Sequence, residues 1–173
     1  KVVEERGPLP AKEAVAAAIG AGEALKHAHA KQVIHRDVKP ENILVQGDEV
    51  TESGIRLTDF GVAALADQQS DLTMTTAAVG SPFYMAPEQA ENIEDLDGRA
   101  DVYSLGATLY FLLTGARMFA ADNFKALLIA HAAELPIRAH ERVGSVPEEL
   151  SLIVDYSVIK KADDRPGSMD ELL

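Results

Sequence analysis

The spacing of apolar residues along the chain predicts a mainly helical protein. After Pro10, apolar side chains recur at steps of three and four residues, which is typical of a helix with one buried face. The members of this stripe are Val15, Ala18, Ile19, Gly22, Leu25 and His29. Residues 100–114 are almost uniformly apolar and are followed by Gly115, so a helix buried in the core is expected to end there.

Shorter patterns complete the predicted fold, which is mainly α with a few short β-strands. Two further amphipathic helices are predicted over residues 123–133 and 148–159, and Ser168 is placed to cap a final short helix. Short runs of β-branched and aliphatic residues predict three strands, Val33 to His35, Ile43 to Val45 and Ile55 to Thr58. Residues 46–54 are expected to form a hairpin turn. Residues 62–85 lack periodicity and are expected to form a long mobile segment.

Composition limits the classes of function. The 173 residues are 47% hydrophobic and 25% charged, which is typical of one globular domain with its own core. The absence of cysteine excludes disulfide frameworks, Cys-ligated metal sites and thiol nucleophiles, and it agrees with a reducing compartment. The net charge of −12 argues against nucleic acid as a partner, and the longest apolar stretches are far shorter than a bilayer span. We therefore expect a cytoplasmic location and no membrane segment in this chain.

The strongest chemical signal lies in three short motifs. The first reads His-Arg-Asp-Val-Lys-Pro-Glu-Asn over residues 35–42, the second is Asp-Phe-Gly over 59–61, and the third is Ala-Pro-Glu over 86–88. Each motif alone could be a loop with a capping aspartate. In this order and at this spacing, they resemble the protein kinase family, in its serine/threonine branch. The stretches HRDVKPENILV and DVYSLGATLYFLLTG look most like bacterial members.

These residue types suit phosphoryl transfer, which needs a positioned nucleophile and neutralised phosphate oxygens. Asp37 can accept a hydrogen bond from a substrate hydroxyl, and the resemblance makes it the catalytic base. Asn42 and Asp59 offer oxygen ligands of the kind that Mg²⁺ prefers, and Lys39 directs a positive charge toward the transferred phosphoryl group. Leu44 matches the position under the adenine ring, so the implied cofactors are ATP and Mg²⁺. In isolation these side chains would be turn caps, a solvated lysine and a core leucine.

The resemblance also implies regulation through residues 59–88, which correspond to an activation segment. Arg36 would pair with a phosphate on this segment and thereby order it. The candidate acceptors are Thr73, Thr75 and Thr76, of which Thr75 ranks first. A merely solvated polar loop is the alternative for each threonine. Ser81 matches a hydroxyl that hydrogen-bonds to Asp37 and Lys39 and favours serine or threonine substrates.

Five further residues have structural roles that the resemblance implies. His35 would pack with Phe60, and Asp101 would accept backbone N–H groups of the catalytic loop. Glu88 would form a buried pair with Arg165, which would fix the base of the activation segment to the helical core.

The resemblance covers residues 1–173 but corresponds only to the C-terminal lobe of a kinase domain, with its catalytic loop at residues 35–42. The sequence contains no glycine-rich phosphate loop and no strand lysine of the Val-Ala-Ile-Lys type. Gly20-Ala21-Gly22 lies within the first helical stripe and indicates close helix packing instead, and the nearby Lys12 and Lys26 belong to the same helix. The implied partner is the missing N-terminal lobe of the same parent chain. Surface exposed around His35, Leu44 and Phe60 could also lead to self-association.

The predicted function is ATP-dependent transfer of the γ-phosphoryl group to Ser/Thr hydroxyls of protein substrates, with poor activity from this chain alone. A non-catalytic, pseudokinase-like binding module is the first alternative, with the helical surface after residue 120 as its docking platform. A small-molecule phosphotransferase is the second alternative. Intact Asp37, Lys39, Asn42 and Asp59 favour the enzyme over the binding module, because a scaffold has no chemical need for them.

Overall fold

The computed structural model describes residues 7–47, 49–60, 82–90 and 96–173. Within these ranges the chain forms seven α-helices, four short 3₁₀ turns and one two-stranded sheet, so the predicted class of a mainly α fold with short strands is confirmed. The helices are α1 (Ala11–His29), α2 (Pro87–Ala90), α3 (Arg99–Thr114), α4 (Phe124–Ala133), α5 (Ala139–Arg142), α6 (Glu148–Ser157) and α7 (Met169–Leu172). The strands are β1 (Ile43–Val45) and β2 (Ile55–Leu57). In the described part of the chain, no helix is both long and apolar enough to cross a membrane.

Helix α3 forms the centre of the core, as its apolar composition predicts. Fourteen of its sixteen residues are buried, and it packs against both α1 and α6. A Cβ atom at Gly106 would lie 2.5 Å from the Cβ of Ser157, so only glycine allows α3 and α6 to approach this closely. Gly115 ends the helix in the left-handed region with φ of 68°, where its N–H donates to the carbonyl of Phe111.

Helix α1 has nearly its predicted bounds, but its buried face differs from the predicted stripe. The fully buried positions are mostly alanines, whereas Val15, Ile19 and His29 are only partly buried. Small side chains let the helix lie close to α3 and to the hairpin, and a larger side chain would hold these elements apart. A Cβ atom at Gly20 would lie 2.6 Å from the Cβ of Ile55, which confirms the close packing expected of this glycine.

The two strands form the predicted hairpin, whereas the third predicted strand is wrong. β1 and β2 are antiparallel, with Ile43 opposite Leu57 and Val45 opposite Ile55. Residues 33–35 are irregular because their backbone groups have other partners: the Val33 N–H donates to the carbonyl of Ala28, and the His35 N–H donates to a carboxylate of α3. A β ladder is therefore unavailable to this segment.

The remaining boundaries agree closely with the sequence patterns. Asn123 caps α4 by accepting the N–H of Ala126, and Ser168 caps α7 by accepting the N–H of Glu171. α6 ends at Ser157, two residues before the predicted end. Of the predicted mobile segment 62–85, residues 62–81 lie outside the described ranges. Its last four residues are ordered, since Pro82–Tyr84 forms a 3₁₀ turn and Tyr84 and Met85 are buried.

A buried polar cluster joins α3, α4 and the segment after α6. The Tyr103 hydroxyl lies 2.8 Å from Nδ1 of His131, and the Lys160 ammonium lies 4.7 Å from the ring centre of Phe119. Burial, with help from Arg165, lowers the pKa of Lys160 to about 8. Burial and the nearby Lys160 charge lower the pKa of His131 to about 4. The fold therefore makes the charged form of both side chains more costly than it is in the unfolded chain.

We expect Lys160→Met to stabilise the protein at pH 7 by about 1 kcal/mol, because it removes a charge whose burial is costly. Between pH 8 and the ordinary lysine pKa of 10.5, the unfolded chain binds more protons at Lys160 than the folded chain does. The stability of the unsubstituted protein should therefore rise with pH in that window, and the advantage of the methionine variant should shrink. Urea unfolding at several pH values measures both effects, with the exposed neighbour substitution Lys161→Met as the control. A methionine variant that is less stable at pH 7 would contradict this account.

Candidate active site

The buried carboxylate of Asp101, in the first turn of α3, holds the loop at residues 35–42, the predicted catalytic loop, in place. Its two oxygens accept the backbone N–H groups of His35 and Arg36, each at 2.8 Å. The ring Nε2 of His29, at the end of α1, lies 2.7 Å from the same carboxylate. Arg36 adopts a left-handed backbone with φ of 66°, a conformation that an L side chain disfavours and that these bonds stabilise.

Three loop residues predicted to act in catalysis come together just beyond this anchor. Lys39 Nζ lies 2.6 Å from Oδ2 of Asp37, and Asn42 Nδ2 donates to the same carboxylate oxygen at 3.3 Å. Asn42 Nδ2 also donates to the backbone carbonyl of Asp37 at 2.8 Å, which closes the loop on itself. The 3₁₀ turn at Pro40–Asn42 places the asparagine side chain back toward the aspartate. A carboxylate, an ammonium and a carboxamide thus converge on one point.

The hairpin brings Asp59 to the same end of the sheet as Asn42. Asn42 directly precedes β1, and its carbonyl accepts the N–H of Thr58, the residue before Asp59, at 3.0 Å. Asp59 is exposed, has a φ of 63°, and makes no hydrogen bond or ion pair within the described part of the chain. The register of a short antiparallel hairpin therefore determines the relative placement of these two polar residues.

The side-chain oxygens of Asn42 and Asp59 suit a hard cation that binds water or phosphate oxygens at its other positions. Since the Asn42 amide nitrogen faces Asp37, its carbonyl oxygen is the atom left to accept, and the Asp59 carboxylate offers two more oxygens. Mg²⁺ is commonly held by one or two protein oxygens together with water and phosphate. Among residues 7–47, 49–60, 82–90 and 96–173 there is no group of three or more acidic or histidine side chains of the kind that forms a dedicated metal cage.

An apolar face adjoins this polar group. Leu44, in the middle of β1, is 51% exposed, and Phe60 is 37% exposed. The rings of Phe60 and His35 lie with their centres 4.6 Å apart, while Nε2 of His35 lies 2.8 Å from the carbonyl of Thr58. Val33 is also exposed. The site thus has a polar centre beside exposed aliphatic and aromatic surface.

Glu88 and Arg165 form a bidentate ion pair that joins α2 to the C-terminal part of the fold. Two guanidinium nitrogens donate to the two carboxylate oxygens at 2.5 and 2.7 Å. Arg165 is buried and donates further to the carbonyls of Ile159, Lys160 and Arg99. Because its donors all have partners, the charge is accommodated in the interior.

Five of the residues singled out by the sequence analysis cannot be placed. Gly61, Thr73, Thr75, Thr76 and Ser81 lie outside the described residues.

Two residues that the sequence analysis did not assign to the site also support the loop at residues 35–42, one through its anchor Asp101 and one directly. His29 contacts Asp101, although its pattern predicted only a place in an apolar stripe. Gln89 contacts both Ala86 and Arg36 through its side-chain amide. No local pattern marks either residue. His29 contacts a carboxylate 72 residues away, and Gln89 contacts backbone groups, which any residue type would offer.

We expect Asp101→Asn to lower the free energy of unfolding by about 3 kcal/mol, because an amide nitrogen would then face a buried backbone donor that has lost its acceptor. Chemical denaturation measures the loss, and amide exchange at His35 and Arg36 locates it. The exposed Asp122→Asn is the matched control and should change stability by less than about 0.5 kcal/mol. A similar small change in Asp101→Asn would contradict the anchoring role.

Bacterial serine/threonine kinases are similar to this chain over nearly its whole length. Serine/threonine-protein kinase PknB of Mycolicibacterium smegmatis is 38% identical over 172 residues, which cover 99% of this chain and 27% of that protein. Serine/threonine-protein kinase AfsK of Streptomyces coelicolor is 36% identical over 170 residues, which cover 98% of this chain and 20% of that protein. The chain therefore spans about a quarter of the length of such relatives.

The fold and the family model agree with these similarities. The crystal structure of Rad53 1–466 in complex with AMP-PNP superposes with a TM-score of 0.78 at 23% identity, over 99% of this chain and 41% of that one. At this identity the likeness shows the fold. The family model for the protein kinase domain matches residues 1–173. A match over the entire sequence, together with the motifs at residues 35–42, 59–61 and 86–88, shows that the chain belongs to the protein kinase family.

Proposed function

We propose that this chain is the catalytic lobe of a serine/threonine protein kinase, which transfers the γ-phosphoryl group of ATP to Ser/Thr hydroxyls of protein substrates. The observation that carries the proposal is the convergence of Lys39 and Asn42 on Asp37, beside the hairpin end that bears Asp59. The names of the PknB and AfsK relatives support the same reaction and the same substrate class.

Asp37 is the catalytic base in this proposal. A substrate hydroxyl that donates a hydrogen bond to the Asp37 carboxylate would have its oxygen aligned for attack on the γ-phosphorus. The carboxylate would take the proton as the new O–P bond forms and the bond from the γ-phosphorus to the β–γ bridging oxygen breaks, with ADP as the leaving group. Asn42 fixes the loop by binding both the carbonyl and the carboxylate of Asp37, so the base is already oriented. Orientation of this kind removes entropy from the reaction step.

Lys39 has a second role beside the base. Its ammonium lies 2.6 Å from the Asp37 carboxylate, which keeps it close to the point where negative charge develops on the phosphoryl oxygens. Ser81 would add a hydroxyl to this pair, which favours serine and threonine substrates. The proposal therefore assigns catalysis to Asp37, Lys39 and Asn42.

Nucleotide binding is assigned to Lys39, Asn42, Leu44 and Asp59. ATP with Mg²⁺ supplies the transferable phosphoryl group when bound. Asn42 and Asp59 would hold the metal through their side-chain oxygens, and Lys39 would contact the phosphates. The exposed Leu44 side chain offers an apolar surface for the adenine ring.

We also propose that residues 59–88 form an activation segment controlled by phosphorylation. Arg36 would pair with the added phosphate, and the acceptor would be Thr75 or its neighbours Thr73 and Thr76. The Glu88–Arg165 pair supports this arrangement, since it fixes the end of the segment to the helical core.

Residues 1–173 correspond in this proposal to the C-terminal lobe, and another part of the parent chain would cover the face around Leu44 and Phe60. The exposure of these two apolar side chains supports the presence of such a cover. ATP would then lie between the two parts. The isolated chain would bind nucleotide weakly, and the uncovered face would favour self-association.

We expect Asp37→Asn to reduce the rate of phosphate transfer from ATP to a Ser/Thr peptide mixture by at least about 100-fold, because the amide cannot accept the hydroxyl proton. Mg²⁺-dependent nucleotide binding should change little, since Asn42 and Asp59 remain. Asp122→Asn serves as the control. Equal rates in Asp37→Asn and the control would refute the catalytic assignment. Nucleotide binding without transfer to any peptide or small alcohol, even in an N-terminally extended protein, would favour the pseudokinase-like binding module.

A second test compares the 173-residue chain with a version extended at its N-terminus along the parent reading frame. We expect the extended protein to show tighter nucleotide binding and a higher kcat, because the apolar face beside the site would then be covered and the phosphates would be held from both sides. Steady-state kinetics with a Ser/Thr peptide measures the difference. Comparable rates in the two proteins would show that one lobe suffices.

A further inference from the structure

The side chain of Gln89 links the segment after the activation segment to the catalytic loop. Its Nε2 donates to the backbone carbonyl of Arg36 at 2.8 Å, and its Oε1 accepts the backbone N–H of Ala86 at 3.1 Å. Gln89 lies in the short helix α2, directly after Glu88. The NH₂ group and the carbonyl oxygen of one carboxamide are therefore both hydrogen-bonded, the first to the loop at residues 35–42 and the second to the start of α2.

The backbone of Arg36 is thereby held on both sides of its Cα atom. Asp101 of the core helix accepts its N–H at 2.8 Å, and Gln89 of α2 donates to its carbonyl. Arg36 needs such support, because its φ of 66° lies in a region that costs energy for a residue with a side chain. Since Arg36 immediately precedes Asp37, the direction of this carbonyl sets the orientation of the peptide that leads into the proposed base.

The other end of the link is equally well fixed. Glu88, the neighbour of Gln89, is bound by the buried Arg165, so α2 cannot shift without breaking a bidentate ion pair. The Ala86 N–H completes the attachment at the start of this helix. A displacement of the segment that contains Ala86 would therefore pull on the carbonyl of Arg36.

We propose that Gln89 is a positioning residue that couples the segment at Ala86–Glu88 to the catalytic loop by holding the carbonyl of Arg36. The effect of Gln89 on turnover rests on the proposed kinase function. Its effect on the conformation of the loop rests on the two hydrogen bonds alone. Through this link, a displacement of residues 86–88 would change the alignment of Asp37 without any contact between Gln89 and the reacting atoms.

Two substitutions separate the two hydrogen bonds. Gln89→Glu keeps an acceptor for the Ala86 N–H but replaces the donor to Arg36 with an oxygen, whereas Gln89→Leu removes both bonds at similar volume. Gln46→Glu, on the exposed side of the hairpin turn, is the matched control. Amide hydrogen exchange followed by NMR reports the Ala86 bond at its donor and the bond to the Arg36 carbonyl through the mobility of the neighbouring amides, without any need for catalytic activity.

In Gln89→Glu we expect exchange at Arg36 and Asp37 to become about tenfold faster while exchange at Ala86 stays within about twofold of the unsubstituted chain. In Gln89→Leu exchange should accelerate at all three amides, and Gln46→Glu should change none. The thermal midpoint should move by no more than about 3 °C in any variant, which separates local loosening from global destabilisation. Unchanged exchange at Arg36 and Asp37 in both Gln89 variants would overturn the proposal.

Kinetics of the N-terminally extended protein supply the second readout. Both Gln89 variants should lower kcat for peptide phosphorylation about tenfold and leave the KM for ATP nearly unchanged, as expected for a misaligned base. Faster exchange with an unaltered kcat would reduce Gln89 to a structural tether and overturn its positioning role. If the unsubstituted protein transfers no phosphate, the proposed function fails, and the exchange data still decide whether Gln89 holds the loop.

Discussion

The arrangement of the site depends on one buried carboxylate. Asp101 is fully buried and has three partners from two sequence regions: His29 at the end of α1, and the consecutive backbone N–H groups of His35 and Arg36. A buried charge without such donors would be strongly destabilising. The hydrogen bonds that stabilise the carboxylate are therefore the same ones that impose the unusual backbone at Arg36, so core stability and loop geometry are linked.

A second buried contact extends this link to Glu88 of α2. Arg165 reaches Glu88 and three backbone carbonyls, and it lies 4.9 Å from the ring centre of Tyr103. Thr108 of α3 also donates to the carbonyl of Val38 within the catalytic loop. Helix α3 thus acts as a common support for the loop and for the segment that bears Glu88, which explains why several polar residues occur along a helix that is almost entirely buried.

The elements with a strong local pattern were predictable from the sequence. Residues 100–114 are mostly apolar and are followed by a glycine, and α3 follows that pattern to within one residue. The segment at 33–35 has the composition of a strand, but its N–H groups go to Asp101 and to the end of α1, and these tertiary partners override the local preference.

The candidate site likewise contains residues that the sequence reveals and residues that it does not. Asp37, Lys39 and Asn42 lie within six residues of each other, so a motif can reveal them together. His29 and Gln89 act through the backbone or through a partner far along the chain, and nothing in their immediate sequence signals that contact. The buried face of α1 was misjudged for a related reason, since alanines carry a weak hydrophobic signal yet pack where backbones come closest.

The hairpin that carries Asn42 and Asp59 has an evolutionary consequence. Its strands are three residues each, and their pairing alone sets the distance between the two polar ends. A single residue inserted within either strand would move the side chains beyond it to the opposite face of the sheet. Asn42 and Asp59 would then no longer face the same site. The connecting stretch is freest near Gly47 and Glu49, which are exposed, whereas Val50 packs against the core and the Glu52 backbone lies against α1. Changes in the length of the connection are therefore tolerated best near Gly47 and Glu49, while the strands themselves must keep their length.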